Sequence, residues 1–414
     1  MSAPERAGLY DSPSERRRAA AAWLAAAVLS ALLLVAFSYR SRDPDSTLYA
    51  GISARMAEQP LDRWIVPEWW GYWNLRGPYH EHPIGMFVGP AALARLGYPS
   101  AQAAYAVNGF FQIFSFVLMA AIAAAVTAPR EARALAWLLQ LLPIAFVFRI
   151  RANQEYTMLA GLLLAIYATE RARTQPAWAL GMLAGFAWVL FVKGVFAFMV
   201  PVACALWLLA RLPAWTHARR AWPAAAAIVA MPLAGAALAL GYDAAYRDAT
   251  GTSFLAAYRA RQVPEGAMAG ESALARTAYQ LAWYAGRIVW YAFPWSLPAL
   301  WLAATRRRLW WPFGATSPGH APARLQGAWF ALATSGALVL AFSLAHRKAD
   351  RYIFPVYFLV GAVGAAWAVG RSPRLRAWAQ RLDRPWVPAA VWMLLFLARL
   401  AAAGRLPEFT FWRT

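Results

Sequence analysis

The chain is poor in charge, in carboxylates and in cysteine. Only 14% of its 414 residues are Asp, Glu, Lys or Arg, while 61% are hydrophobic, and soluble globular domains carry about a quarter charged residues. A soluble globule is excluded, and the sequence reads as an all-α polytopic membrane protein whose surroundings include membrane lipids. The one cysteine, Cys204, lies inside an apolar run, which excludes an intramolecular disulfide and a cysteine-based metal cage. Acids are outnumbered, 19 against 40 Lys and Arg, for a net charge of +21. These cations stand in short clusters between apolar runs, so they read as topology signals, and nucleic acid is excluded as a partner. No sustained repeat or low-complexity linker divides the chain, and we read 1–414 as one transmembrane domain.

What the chain has in abundance is apolar runs long enough to cross ~30 Å of hydrocarbon. They recur near 19–38, 102–127, 133–148, 156–170, 176–192, 194–210, 222–241, 287–304, 327–345, 352–369 and 386–402, predicting about eleven transmembrane helices. Arg16, Arg17 and Arg18 ahead of the first run resemble the start of a signal peptide. The run is as long as a spanning helix and no small-residue cleavage site follows, so it reads as a retained anchor.

With the N-terminus inside and the C-terminus outside, 20 of the 40 cations fall in the six cytoplasmic segments, and only nine fall outside them once the two long outer connections are set aside. That asymmetry favours this orientation. The long connections, 39–101 and 242–287, are then outer, periplasmic loops. The first predicts a helix over Ser46–Glu58 with Leu48, Ile52 and Met56 on one face, lying along the interface with Trp64, Trp69, Trp70, Tyr72 and Trp73 at headgroup level. The second gathers Tyr242, Tyr246, Tyr258 and Tyr279 in a similar setting.

Several outer cations break the rule that positive charge stays inside: Arg149 and Arg151, Lys193, and Arg347, Lys348 and Arg351 beside His346. A lone cation at a helix end reads as a snorkelling anchor, which is the expectation for Arg149 and Arg151. Lys193 stands in the unbroken apolar context Leu190-Phe191-Val192-Lys193-Gly194-Val195-Phe196, where an ionisable group is a functional candidate. Three cation groups at one surface suggest a bound anion, and phosphate suits Arg and Lys best. Asp43, Asp45, Glu81 and Glu155 reach the same surface. Cations for a phosphate and a carboxylate to take a proton are what substitution at a phosphate leaving group needs. Residue chemistry alone leaves open an enzyme acting on a lipid phosphate or a transporter or flippase of one.

Pro44-Asp45-Ser46-Thr47-Leu48-Tyr49-Ala50-Gly51-Ile52 resembles the acidic first-loop motif of the GT-C membrane glycosyltransferases, in the branch of the protein O-mannosyltransferases and lipid A aminoarabinose transferases. Further stretches fall in the family's order: Tyr79-His80-Glu81-His82-Pro83, Arg151-Ala152-Asn153-Gln154-Glu155, Val192-Lys193-Gly194, Phe293-Pro294-Trp295-Ser296, and His346 through Pro355. The resemblance implies a GT-C-like fold and inverting transfer of a sugar from a polyprenyl-phosphate donor to the hydroxyl of a lipid, glycan or protein acceptor, at the periplasmic face of a bacterial inner membrane. Asp45 matches the catalytic acid and would be the general base, with Glu81 as a second acid. Lys193, Arg347, Lys348, Arg351, Tyr352 and His82 would face the donor phosphate. The chain departs from the pattern at Ser46, where many relatives have a second acid, and at His82, where lysine is usual. On this resemblance the soluble C-terminal domain of the lipid A enzymes is expected to be missing.

Each site residue also has a plainer reading. Asp43 and Asp45 precede an apolar-periodic segment and suit a helix N-cap. Glu155 suits a helix start. Asp43, His80 and Glu155 remain candidates for contacting the acceptor or a metal. No cofactor is required, and a divalent ion on His80, Glu81 and His82 is the one the residue types allow; residues two apart diverge on helix and strand, so that needs a loop.

Overall fold

The computed structural model describes residues 12–69, 76–212, 221–262, 273–305, 320–345, 348–381 and 386–401. Trp70, Tyr72, Trp73, His346 and Arg347 lie outside them. Among the described residues the regular structure is all helical, apart from one isolated bridge between Glu68 and Pro78. In order the helices are α1 (Pro13–Ala36), α2 (Pro44–Glu58), α3 (Gly85–Arg95), α4 (Ser100–Ala123), α5 (Pro129–Leu139), α6 (Pro143–Arg149), α7 (Glu155–Ala172), α8 (Trp178–Lys193) and α9 (Met199–Arg211). They continue as α10 (Trp222–Thr250), α11 (Phe254–Gln262), α12 (Ala273–Tyr291), α13 (Ser296–Thr305), α14 (His320–Ser343), α15 (Phe354–Arg371), α16 (Pro373–Arg381) and α17 (Trp386–Ala401).

Among the described residues five stretches are long and apolar enough to cross a membrane: α4, Trp178–Arg211, α10, Ala323–Ser343 and Asp350–Arg371. The expected span at 133–148 is instead the pair α5 and α6, bent by 64°. Pro143, at the first position of α6, has no N–H to continue the preceding helix and is preset to open a new one. The Trp178–Arg211 stretch doubles back. Trp178 at its start packs on Tyr167, and Trp207 and Arg211 at its end bond Glu170, all near the C-terminus of α7, while Lys193 in its middle meets Glu155 at the N-terminus of α7. So α8 runs antiparallel to α7, and α9 returns parallel to it. Small residues permit the α7–α8 approach: a Cβ on Gly185 would lie 2.7 Å from the Gly161 carbonyl oxygen.

α2 shows how the sequence seats the polar first loop. Asp43 is extended and accepts the Ser46 N–H at 3.0 Å, Pro44 opens the helix, and Asp45 sits in the favourable first turn. Leu48, Ile52 and Met56 are all but inaccessible and belong to the main core, worth about 1.5–3 kcal/mol each. A charge at Ile52 would lift the helix off α3 and α4. The helix is therefore where the periodicity put it, but it is packed into the bundle. Trp64 and Trp69 differ from expectation in the same way: both are buried in the core rather than spread in a headgroup belt, because Trp69 packs edge-on to Tyr79 and Trp64 bonds the Gln59 carbonyl.

Candidate active site

The N-terminus of α2 is tied to the loop between α6 and α7. Ser46 Oγ lies 2.9 Å from Asp43 Oδ2 and 2.8 Å from Asn153 Oδ1, and accepts the Ala152 N–H. Arg151 Nη1 stands 3.6 Å from Asp43 Oδ1. Asp43 is thus occupied as a helix cap and as the partner of Arg151, so its place is that of a positioning residue. Arg151 is neither free nor snorkelling. Arg149 also departs from the anchor reading: it is 1% exposed, its guanidinium filling the space beside Gly109.

Asp45, two positions after Asp43, forms an ion pair with Arg351. Beside it lies a second pair, Lys193 Nζ to Glu155 Oε1 at 2.7 Å, with Lys193 6% and Glu155 0% exposed. Glu155 opens α7 after Gln154, which takes a left-handed conformation (φ 59°) and is held by a 2.7 Å bond from its Nε2 to the Ala104 carbonyl. The second oxygen, Glu155 Oε2, has no hydrogen-bond partner among the described residues. Lys193 ends α8 because Gly194 follows with φ 56° and ψ −117°, a conformation suited to glycine. A side chain there would run into the Tyr258 hydroxyl, which accepts the Val195 N–H at 3.2 Å.

Tyr49, one turn after Asp45, lies within electrostatic range of Asp45, Arg351, Glu155 and Glu81. Burial pushes its phenol well above the usual range, so it stays protonated. It shares a 3.0 Å hydrogen bond with His82 Nε2. Burial, reinforced by Lys193 and Arg351, holds His82 well below the ordinary imidazole value. His82 is therefore a neutral hydrogen-bonding ring and cannot supply the positive charge that the usual lysine would. His80 turns elsewhere, its Nδ1 3.2 Å from the Pro78 carbonyl. Among the described residues no three His, Cys, Asp or Glu side chains gather as a metal-binding group, so His80, Glu81 and His82 do not converge as the metal reading requires.

The remaining predicted residues come from the segment before α15. Asp350 meets Arg287 Nε at 3.1 Å and accepts the Tyr291 hydroxyl at 3.1 Å, while its carbonyl accepts the Tyr357 hydroxyl. These contacts pin the short 3-10 turn Asp350–Ile353 and aim Arg351 at Asp45. Tyr352 stacks on Phe342. Lys348 Nζ donates to the Tyr279 hydroxyl at 2.6 Å and lies over its ring. Sequence reasoning gave no site role of their own to Asp350, Tyr49, Asn153, Arg287 and Tyr258. Asp350 carried a signal, being one acid between Lys348 and Arg351; the others became visible only once their partners were in place.

Two opposed ion pairs, a protonated phenol and a neutral imidazole therefore meet at one end of a helical membrane bundle. The fold that carries them is GT-C-like. Solved structures that share it include the crystal structures of ArnT from Cupriavidus metallidurans. The form bound to undecaprenyl phosphate matches with a TM-score of 0.55 and 18% identity over 88% of this chain and 61% of that one. The apo form matches with a TM-score of 0.52 and 19% identity over 87% and 62%. The chain thus spans about three fifths of the length of these structures. No family model and no curated protein matches the sequence.

Proposed function

We infer that this chain is a membrane glycosyltransferase that moves a sugar from a polyprenyl-phosphate donor to an acceptor hydroxyl, with inversion at the anomeric carbon, at the periplasmic face of a bacterial inner membrane. The observation that carries this reading is the pairing of Asp45 with Arg351 beside Lys193 and Glu155. It puts a carboxylate able to take a proton next to cations able to take a phosphate. The ArnT structure with undecaprenyl phosphate, sharing the fold, supports a polyprenyl-phosphate donor.

In this mechanism Asp45 accepts the proton of the acceptor hydroxyl as its oxygen attacks the anomeric carbon from the side opposite the phosphate. The bond between that carbon and the phosphate oxygen breaks, and polyprenyl phosphate leaves with one more negative charge. Arg351 and Lys193, with Lys348 at the rim, neutralise that charge as it develops. Before the donor arrives Arg351 is paired with Asp45 and Lys193 with Glu155. Donor binding draws both cations toward the phosphate, which frees Asp45 to act as a base. Tyr49 donates a hydrogen bond, and Glu81 orients the acceptor. The whole chain, 1–414, acts as one membrane domain, with its N-terminus inside and 39–101 and 242–287 in the periplasm.

The test is incubation of the purified protein with labelled polyprenyl-phosphate sugars and candidate acceptors, scoring released polyprenyl phosphate. Release that depends on both acceptor and Asp45 supports the reading. Movement of intact lipid-linked sugar across a vesicle membrane, without release, would replace it with a transporter.

A further inference from the structure

A cavity of about 780 Å³ runs between α4, α5, α7, α14 and α15, from Leu159 and Pro355, one turn beyond Glu155 and Arg351, to the opposite end of the bundle. Its walls are aliphatic, with Leu139, Leu162, Ile166 and Ala331 among them, and its charged residues are Glu131, Arg324 and Arg371. All three stand at the far end. Arg324 reaches Glu131 at 2.5 Å, and Gln326, nearby on α14, accepts a bond from Arg211, which pairs with Glu170 near the C-terminus of α7. Arg371 closes α15 at the same level. It has no carboxylate partner among the described residues and lies over the rings of Trp367 and Trp301, at 4.8 and 5.9 Å. An arginine on exposed tryptophan marks the headgroup level of a membrane face.

Between the cavity and the proposed active site lies a layer of packed aromatic rings. Tyr156, which follows Glu155, packs on Phe354 at 5.1 Å between centroids, and Phe354 packs on Phe358 at 5.2 Å and Phe358 on Phe116 at 5.7 Å. Tyr156, Phe354 and Phe116 are completely buried. A chain whose phosphate sat at Lys193 and Arg351 would have to dismantle this layer to enter.

We propose that this cavity holds one acyl chain of an anionic glycerophospholipid from the leaflet opposite the active site, with its headgroup phosphate on Arg371. The walls supply the apolar complement, the unpaired arginine supplies the charge complement, and the aromatic layer excludes entry from the other side. The site is separate from the donor site, and the inference does not rest on sugar transfer.

The experiment uses the full-length chain in detergent, stripped of lipid and then given phosphatidylglycerol, phosphatidylcholine or undecaprenyl phosphate, with bound lipid counted by native mass spectrometry. One copy of phosphatidylglycerol is expected to remain bound, preferred over phosphatidylcholine by about fivefold, the worth of one arginine facing an anionic headgroup. Ala331→Phe, which fills the cavity, removes that copy. Arg371→Gln, at an exposed position that leaves the core intact, removes the headgroup preference and keeps the chain binding. Equal binding of the two phospholipids by the unaltered protein, or retention of the copy in folded Ala331→Phe, would overturn the proposal. So would competitive displacement of phosphatidylglycerol by undecaprenyl phosphate, which would make the cavity part of the donor site. No sugar transfer is read, so loss of the transferase reading leaves these outcomes interpretable.

Discussion

Asp45 and Arg351, 306 positions apart in sequence, form an ion pair at the N-terminus of α2. Asp43, two residues before Asp45, is instead consumed by the helix cap and by Arg151. Two acids two positions apart thus have different surroundings, and they should respond differently to the same loss of charge.

Asp45→Asn is predicted to lower sugar turnover by about 10²–10⁴, the usual worth of a positioned general base. The pair is partly exposed, so folded protein in the membrane should change little. Retained turnover in purified Asp45→Asn would remove Asp45 from the role of base.

Asp43→Ala should show the opposite pattern. Loss of the cap costs about 0.5–2 kcal/mol of stability, read as a lower thermal midpoint, while turnover stays measurable because Asp45 keeps its carboxylate. An inactive, fully stable Asp43→Ala would mean that Asp43 belongs to the chemistry.

The Lys193–Glu155 pair is buried, so removing one partner strands the other. Lys193→Met and Glu155→Gln are each predicted to destabilise by about 3–5 kcal/mol, and the double variant by much less than their sum. Additive losses in thermal unfolding would contradict a direct pair. Within the proposed function, Lys193→Ala should also weaken donor binding more than acceptor binding.

His82 gives a pH dependence. Burial depresses its folded pKa below the ordinary 6.5, so the unfolded chain binds a proton that the folded chain refuses. Its contribution to stability is therefore complete above about 6.5 and is lost as pH falls from there toward the depressed value. Thermal midpoints at pH 7.5 and 5.5 should differ less in His82→Gln than in the unaltered protein. An unchanged acid sensitivity would assign it to another group.

Gly194→Ala should disturb Lys193 without touching it. Alanine is strained at φ 56° and its Cβ meets Tyr258, a cost of about 1–3 kcal/mol. The expected result is a lower midpoint and a raised KM for the donor. A variant indistinguishable from the parent would show that the turn does not hold Lys193 in place.

Much was legible in advance where the signal is local. The apolar stripe Leu48, Ile52 and Met56 announces α2, since residues one turn apart share a face. The cap signal at Asp43 and the helix start at Glu155 are equally local. Cations in apolar or outward positions singled out Lys193 and Arg351 because charge is costly there. The belt expected from Trp64 and Trp69 failed because an aromatic residue beside a membrane segment looks the same in sequence whether lipid or another helix covers it. Arg149 misled for the same reason.

By itself, then, the sequence determined the helical membrane class, the place of α2 and the set of charged residues worth watching, because hydropathy, periodicity and charge are properties of neighbouring positions. Only the tertiary structure decided who pairs with whom. It gave Arg351 to Asp45, Glu155 to Lys193 and Arg151 to Asp43, and it set a layer of aromatic rings between them and the cavity. Those choices depend on which helix ends the packed core brings together, and a linear pattern carries no record of that distance.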